Sequence, residues 1–72
     1  MTAESIVLSN TKRIISERGL KNSFVAEKIG MDRKLFSAML NGRKFVRLEH
    51  VKAISDVLGI SPGKLFEEQA ET

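Results

Sequence analysis

The chain has 72 residues, 12 Lys and Arg against 9 Asp and Glu, one His and no Cys. That length allows one domain and one core of modest stability, because so short a chain buries only roughly 60% of its unfolded surface. Without Cys there is no disulfide or thiolate site, a lone His leaves almost nothing for a structural metal or a Cys–His nucleophile, and the 42% hydrophobic content argues against disorder.

The longest apolar run near the start, Ile6-Val7-Leu8, is too short for a signal peptide or a membrane span. The expected setting is a reducing cytoplasm, with no membrane partner. Residues 4–18 place Val7, Leu8, Ile14 and Ile15 at helical spacing, with Thr11 filling the turn between. Lys12, Arg13, Glu17 and Arg18 fall largely outside that face. Gly19 closes the helix and Leu20 locks it.

Asn22 or Ser23 is the expected cap of a second helix with Val25, Ala26 and Ile29 as its buried stripe and Gly30 as its stop. Ala26 is small enough to let another helix cross closely. Met31 is expected to plug the angle between the two helices. Asp32 is a good N-cap for the third, and its charge suits the positive end of the helix dipole.

That third helix, residues 33–41, divides cleanly at about 100° per residue. Phe36, Met39 and Leu40 share one face. Lys34, Ser37, Ala38 and Asn41 share the other, with Arg33 on its shoulder and Leu35 at the border. Asn41-Gly42 stops the helix, and the basic loop Arg43-Lys44-Phe45-Val46-Arg47 follows. A fourth helix runs from about Leu48 to Leu58, with Leu48, Val51, Ile54, Val57 and Leu58 inward and Gly59 as its stop. Ser61-Pro62 opens a last short helix carrying Leu65 and Phe66. The pattern is all-α, five short helices in a single domain over residues 1–72, with a core over about 4–67 and an acidic tail over 68–72.

Charge is unevenly spread. Residues 33–47 hold Arg33, Lys34, Arg43, Lys44 and Arg47 with no acid, whereas residues 67–72 hold Glu67, Glu68 and Glu71 with no base. Such a concentration fits a phosphate-binding footprint, although a plain solvated face has the same look. Cations at a helix start oppose the dipole, which favours phosphate as the partner of Arg33 and Lys34. A helix that reads the major groove needs polar side chains near its N-terminus and an anchored back face, and the third helix has both.

The stretch VAEKIGMDRKLFSAMLNG, followed by VKAISDVLGISPGKLF, resembles the Cro/repressor-type (XRE-like) helix-turn-helix family of phage and bacterial regulators. The resemblance runs from about Thr11 to Phe66 and rests on the ordered set Ala26, Gly30, Asn41-Gly42, Leu58-Gly59 and Leu65-Phe66. It implies a compact lambda-repressor-like fold with helices 2 and 3 as the helix-turn-helix. It also implies base contacts from Arg33 and Lys34, and a reading position at Ala38. Alanine there leaves only an apolar contact with a thymine methyl. Ser37 on the same face is read first as a small packing residue and second as a base contact. Asn22, Asn41, Arg43 and Lys44 match the family's backbone-contacting positions, and Arg47 extends that segment. Where many members pair an Arg late in helix 1 with a Glu before the Asn-Gly, this chain has Ile15 and Leu40. The paired change predicts an apolar contact between the two.

The function so implied is sequence-specific double-stranded DNA binding by a repressor of the phage or prophage type. A homodimer on a two-fold operator is expected, because half-sites lie about one helical turn, ~34 Å, apart. Ile60 and Leu65-Phe66 are the candidate dimer surface, with a core role open. The alternative is an antitoxin or antirepressor that uses the same fold to meet a protein. No catalytic group pairing, cofactor site or small-molecule substrate is expected, and the pattern is not an enzyme's. Phe24 and Phe45 are expected as core or rim packing, His50 at the surface, and Lys28 beside Glu27 or solvent.

Overall fold

A computed structural model describes residues 2–67, so the expected acidic tail 68–72 lies outside the described residues. Five helices follow in order: α1 Ala3–Glu17, α2 Asn22–Lys28, α3 Arg33–Leu40, α4 Leu48–Leu58 and α5 Pro62–Leu65. Among the described residues there is no strand, and no helix is long and apolar enough to cross a membrane.

One apolar cluster draws on every helix: Val7, Leu8, Ile14 and Ile15 of α1, Val25 and Ala26 of α2, Phe36, Met39 and Leu40 of α3, Val51, Ile54 and Leu58 of α4, and Leu65 of α5. The helical faces expected of the sequence are therefore the buried ones, with two corrections. Leu48 was expected inward but is 79% exposed, because α4 begins there, at the edge of the molecule. Phe45 stands 84% exposed rather than packed at a rim. Leu65 is fully buried, which gives it the core role that had been left open beside a dimer surface, and Phe66 is 41% exposed.

α2 is not capped as expected. Its N-cap is Lys21, whose side chain makes no capping bond, and Asn22 is the first helical residue. The tight exit from α1 accounts for the shift. Gly19 N–H donates to Ser16 O, Leu20 N–H donates to Ile15 O, and the chain turns one residue early into α2.

The same closure recurs at the ends of α2, α3 and α4. Met31 N–H reaches Ala26 O, Arg43 N–H reaches Ala38 O and Ile60 N–H reaches Ser55 O, at 2.9, 2.8 and 3.0 Å. In each the preceding Gly takes a left-handed φ, between 65 and 80° across the set. The residue after the Gly normally packs back onto the helix it ends. Leu20, Met31 and Ile60 do so, lying half-buried against the core. At α3 that residue is Arg43, and it is exposed.

Polar bonds tie the ends together. Asn10, on the apolar stripe of α1 and 2% exposed, donates from Nδ2 to Leu65 O at 2.8 Å and Glu67 O at 2.7 Å. It thereby satisfies one carbonyl at the end of α5 and one just beyond it. The Arg18 guanidinium donates to Leu58 O at the end of α4. Val46 N–H donates to Glu4 Oε2 at 3.3 Å, fixing the basic loop to the start of α1.

Candidate nucleic-acid interface

The pair α2–α3 is joined by Ile29 to Asp32, a turn that Gly30 makes possible with φ 73°. Two other features set the angle. Ala26 is 1% exposed, and Met31 packs partly buried against the core. Asp32 then caps α3, its Oδ1 accepting from Lys34 N–H at 2.8 Å and Leu35 N–H at 3.3 Å. The cap consumes two of the free amides at the helix start. Ligand recognition at this end therefore falls to side chains.

On the outer side of this pair, Asn22, Arg33, Lys34, Ser37, Ala38, Asn41 and Arg43 line one open depression. Its lining includes three cations and no carboxylate. Asn22, Arg33, Lys34, Asn41 and Arg43 are exposed, while Ser37 and Ala38 are half-buried between them. The floor is thus small and the rim long and positive. A convex, phosphate-lined rod would meet this shape with its backbone on the rim and an edge on the floor. α3 is held from behind, with Phe36 and Met39 almost wholly buried, so its outward face has no freedom to roll.

Seven of the nine expected site residues meet there. Lys44 and Arg47 do not: they line a neighbouring depression with Met31, Leu35, Met39, Phe45, Glu49 and His50. Leu35 is 41% exposed, close to the border position expected of it. His50, expected as a plain surface residue, is half-buried, and its Nδ1 accepts from Arg47 N–H at 3.4 Å. Lys28 is exposed, in keeping with the solvent alternative, and its Nζ lies 5.6 Å from the centre of the Phe24 ring.

Lys12 was not singled out from the sequence. With Ser5 and Ser9 of α1 it lines a depression that also contains Asn41 and Gly42, so the positive rim continues onto the first helix. The sequence signal was Lys12 on the outward flank of α1. Which outward flank borders the end of α3 depends on helix packing, which no local pattern encodes.

A family model described as a Cro/C1-type HTH DNA-binding domain matches residues 10–71. No curated protein and no solved structure matches the chain.

Proposed function

Because the chain belongs to the family of Cro/C1-type helix-turn-helix DNA-binding domains, we propose that it is a sequence-specific transcriptional repressor that reads an operator with α3. The observation that carries this reading is the depression in which side chains from both helices of the motif converge without an acid. In it α3 and its cap, residues 33–41, enter the major groove. Arg33 and Lys34 meet base edges from the first turn. Ala38 and Ser37, half-buried on the floor, approach a base edge or a thymine methyl closely. Asn22, Asn41 and Arg43 take phosphates on either side and fix the register. Lys12 extends the same backbone contact along α1. Lys44 and Arg47, on the neighbouring depression, contribute to the positive field more than to direct contacts.

Repression follows from occupancy: a bound domain excludes polymerase from the same stretch. The phage and prophage repressors are the regulators that the α2–α3 sequence resembles. Two domains on a two-fold site are needed, because one α3 offers few base contacts. The longest extent of the molecule is 34 Å, comparable to the spacing of neighbouring half-sites about one helical turn, ~34 Å, apart. The family is described as one of DNA-binding domains.

Salt dependence tests the reading. Retention on random duplex should fall steeply as salt rises, with a slope in log K set by the number of phosphates neutralised. Absence of retention on any duplex at ~50 mM salt would defeat the proposal.

A further inference from the structure

The five cations of residues 33–47 enter no ion pair among the described residues, where the pairs found are Arg13–Glu17 and Lys64–Glu67. One carboxylate nevertheless reaches their loop. Glu4, half-buried in the first turn of α1, accepts the Val46 N–H at Oε2 over 3.3 Å, across 42 residues of sequence. The other holds on the loop are local. Arg43 N–H is committed to Ala38 O at 2.8 Å, and Arg47 N–H meets His50 Nδ1 at 3.4 Å within the start of α4. Between them the Lys44 and Phe45 amides donate no hydrogen bond among the described residues, and both side chains are exposed. The course of the loop therefore depends on Glu4.

We propose that Glu4 is a positioning residue for DNA binding, its carboxylate holding the basic loop so that Arg43 and Lys44 present their charge to phosphate. This role rests on the reading of α3 and its rim as the DNA face. Glu4 engages a neutral amide and no cation, so the loop charges stay free for phosphate. Its own place suits a carboxylate, because the first turn of α1 carries the positive end of the helix dipole. Thr2 Oγ1 caps the same turn, accepting from Ser5 N–H at 3.1 Å. The Glu4 bond also brings the start of α1 to the rim. Ser5, Ser9 and Lys12 line one depression with Asn41 and Gly42, the residues that lead into the loop.

Charge and position act in opposite directions here. An acid beside a phosphate-binding rim repels DNA, so through charge alone its loss raises affinity. Through position its loss lowers affinity, although the net charge of the chain becomes more positive. Two substitutions separate these effects. Glu4→Gln loses the charge and keeps an oxygen that accepts. Glu4→Asp keeps the charge and withdraws the carboxylate by one carbon–carbon bond, ~1.5 Å. That takes it out of reach of an amide already 3.3 Å away.

Affinity for one selected duplex is measured at fixed salt for the parent, Glu4→Gln, Glu4→Asp, Arg43→Ala, Arg33→Ala and each arginine variant combined with Glu4→Asp. Glu4→Asp should bind about three- to ten-fold more weakly than the parent, and Glu4→Gln at least as tightly. Loss of Arg43 should cost at least about two-fold less beside Glu4→Asp than in the parent. Loss of Arg33, at the far end of α3, should cost the same in both, whereas a general loosening of the fold would treat the two arginines alike. In the free chain the Val46 amide should exchange with solvent faster in Glu4→Asp, and the Arg43 amide at the parent's rate. Glu4→Asp binding equal to the parent, or Glu4→Gln binding as weakly as Glu4→Asp, would overturn the inference and leave the DNA reading standing. Equal costs for Arg43 in both backgrounds, or an unchanged Val46 exchange rate, would do the same. Failure of the parent to be retained on any duplex would instead defeat the DNA reading, and the inference with it.

Discussion

Arg43 shows how a single residue separates a structural rule from a functional one. Three of the four Gly-closed helices follow the Gly with Leu20, Met31 or Ile60, each packed back on the core. The fourth follows it with an arginine whose backbone makes the same bond, to Ala38 O at 2.8 Å. A cation there also suits the negative end of α3. The local geometry therefore accepts an apolar side chain at this position, and Arg43→Leu should leave the thermal midpoint within a few degrees of the parent. The same substitution should weaken binding to all duplexes alike and reduce the salt slope by about one. A large loss of stability would show that the guanidinium is structural. Asn10 is the converse case. It was passed over in the sequence because a polar residue on an apolar stripe reads as an interruption. The structure gives it two carbonyls, Leu65 O and Glu67 O, 55 and 57 residues away, a separation at which local pattern carries no information.

At the scale of elements, most of the fold was legible because each helix declares itself locally. Apolar spacing places α1, α3 and α4, Asp32 and Pro62 place two helix starts, and the glycines place four ends. What was not legible sits at the start of α2 and in the loop before α4. The cap shifted to Lys21 because the α1 exit turns in fewer residues than the pattern suggests. Leu48 fits the apolar spacing of α4 but occupies its first position, where no neighbouring helix covers it.

The expected Ile15–Leu40 contact belongs to this scale. Both side chains are 4% exposed, in one core and on helices that pack together. Ile15→Ala and Leu40→Ala should each cost about 2–5 kcal/mol. In a double-mutant cycle they should couple by roughly 0.5–3 kcal/mol, since residues in contact share one cavity. Additivity within about 0.5 kcal/mol would place them apart.

The turn offers a cleaner backbone test. A Cβ at Gly30 meets nothing within 4 Å, yet its φ is 73°. Gly30→Ala should therefore cost about 1–2 kcal/mol from conformation alone. Gly63, in α5, has no left-handed φ and only Ser61 Oγ at 4.0 Å, so Gly63→Ala should be neutral or stabilise by up to about 1 kcal/mol. In a domain of this size each kcal/mol moves the midpoint by about 4–8 °C, which makes the contrast measurable by thermal unfolding.

For the molecule as a whole, the division of surfaces is the part that composition alone blurs. Five cations in residues 33–47 read as one basic cluster, but folding sends them to two depressions. Arg33, Lys34 and Arg43 gather with Asn22 and Asn41 on a face whose lining holds no acid. Lys44 and Arg47 go to an apolar patch with Glu49. The loop separates them because Arg43 N–H is committed to α3 and Val46 N–H to α1. A sequence window has no term for that split. It arises only once Glu4 and Val46, 42 residues apart, are brought side by side.

That α3 reads sequence while its surroundings hold phosphate is tested most directly by selection from random duplexes at a stated salt concentration, with the parent chain and Arg33→Ala in parallel. The parent should return a defined half-site. Arg33→Ala should still be retained but return a site relaxed at one or two positions, a loss of discrimination of about 1–3 kcal/mol at the base pair concerned. An unchanged site at uniformly lower affinity would contradict the assignment, reducing Arg33 to a phosphate contact and moving the reading of sequence off the start of α3.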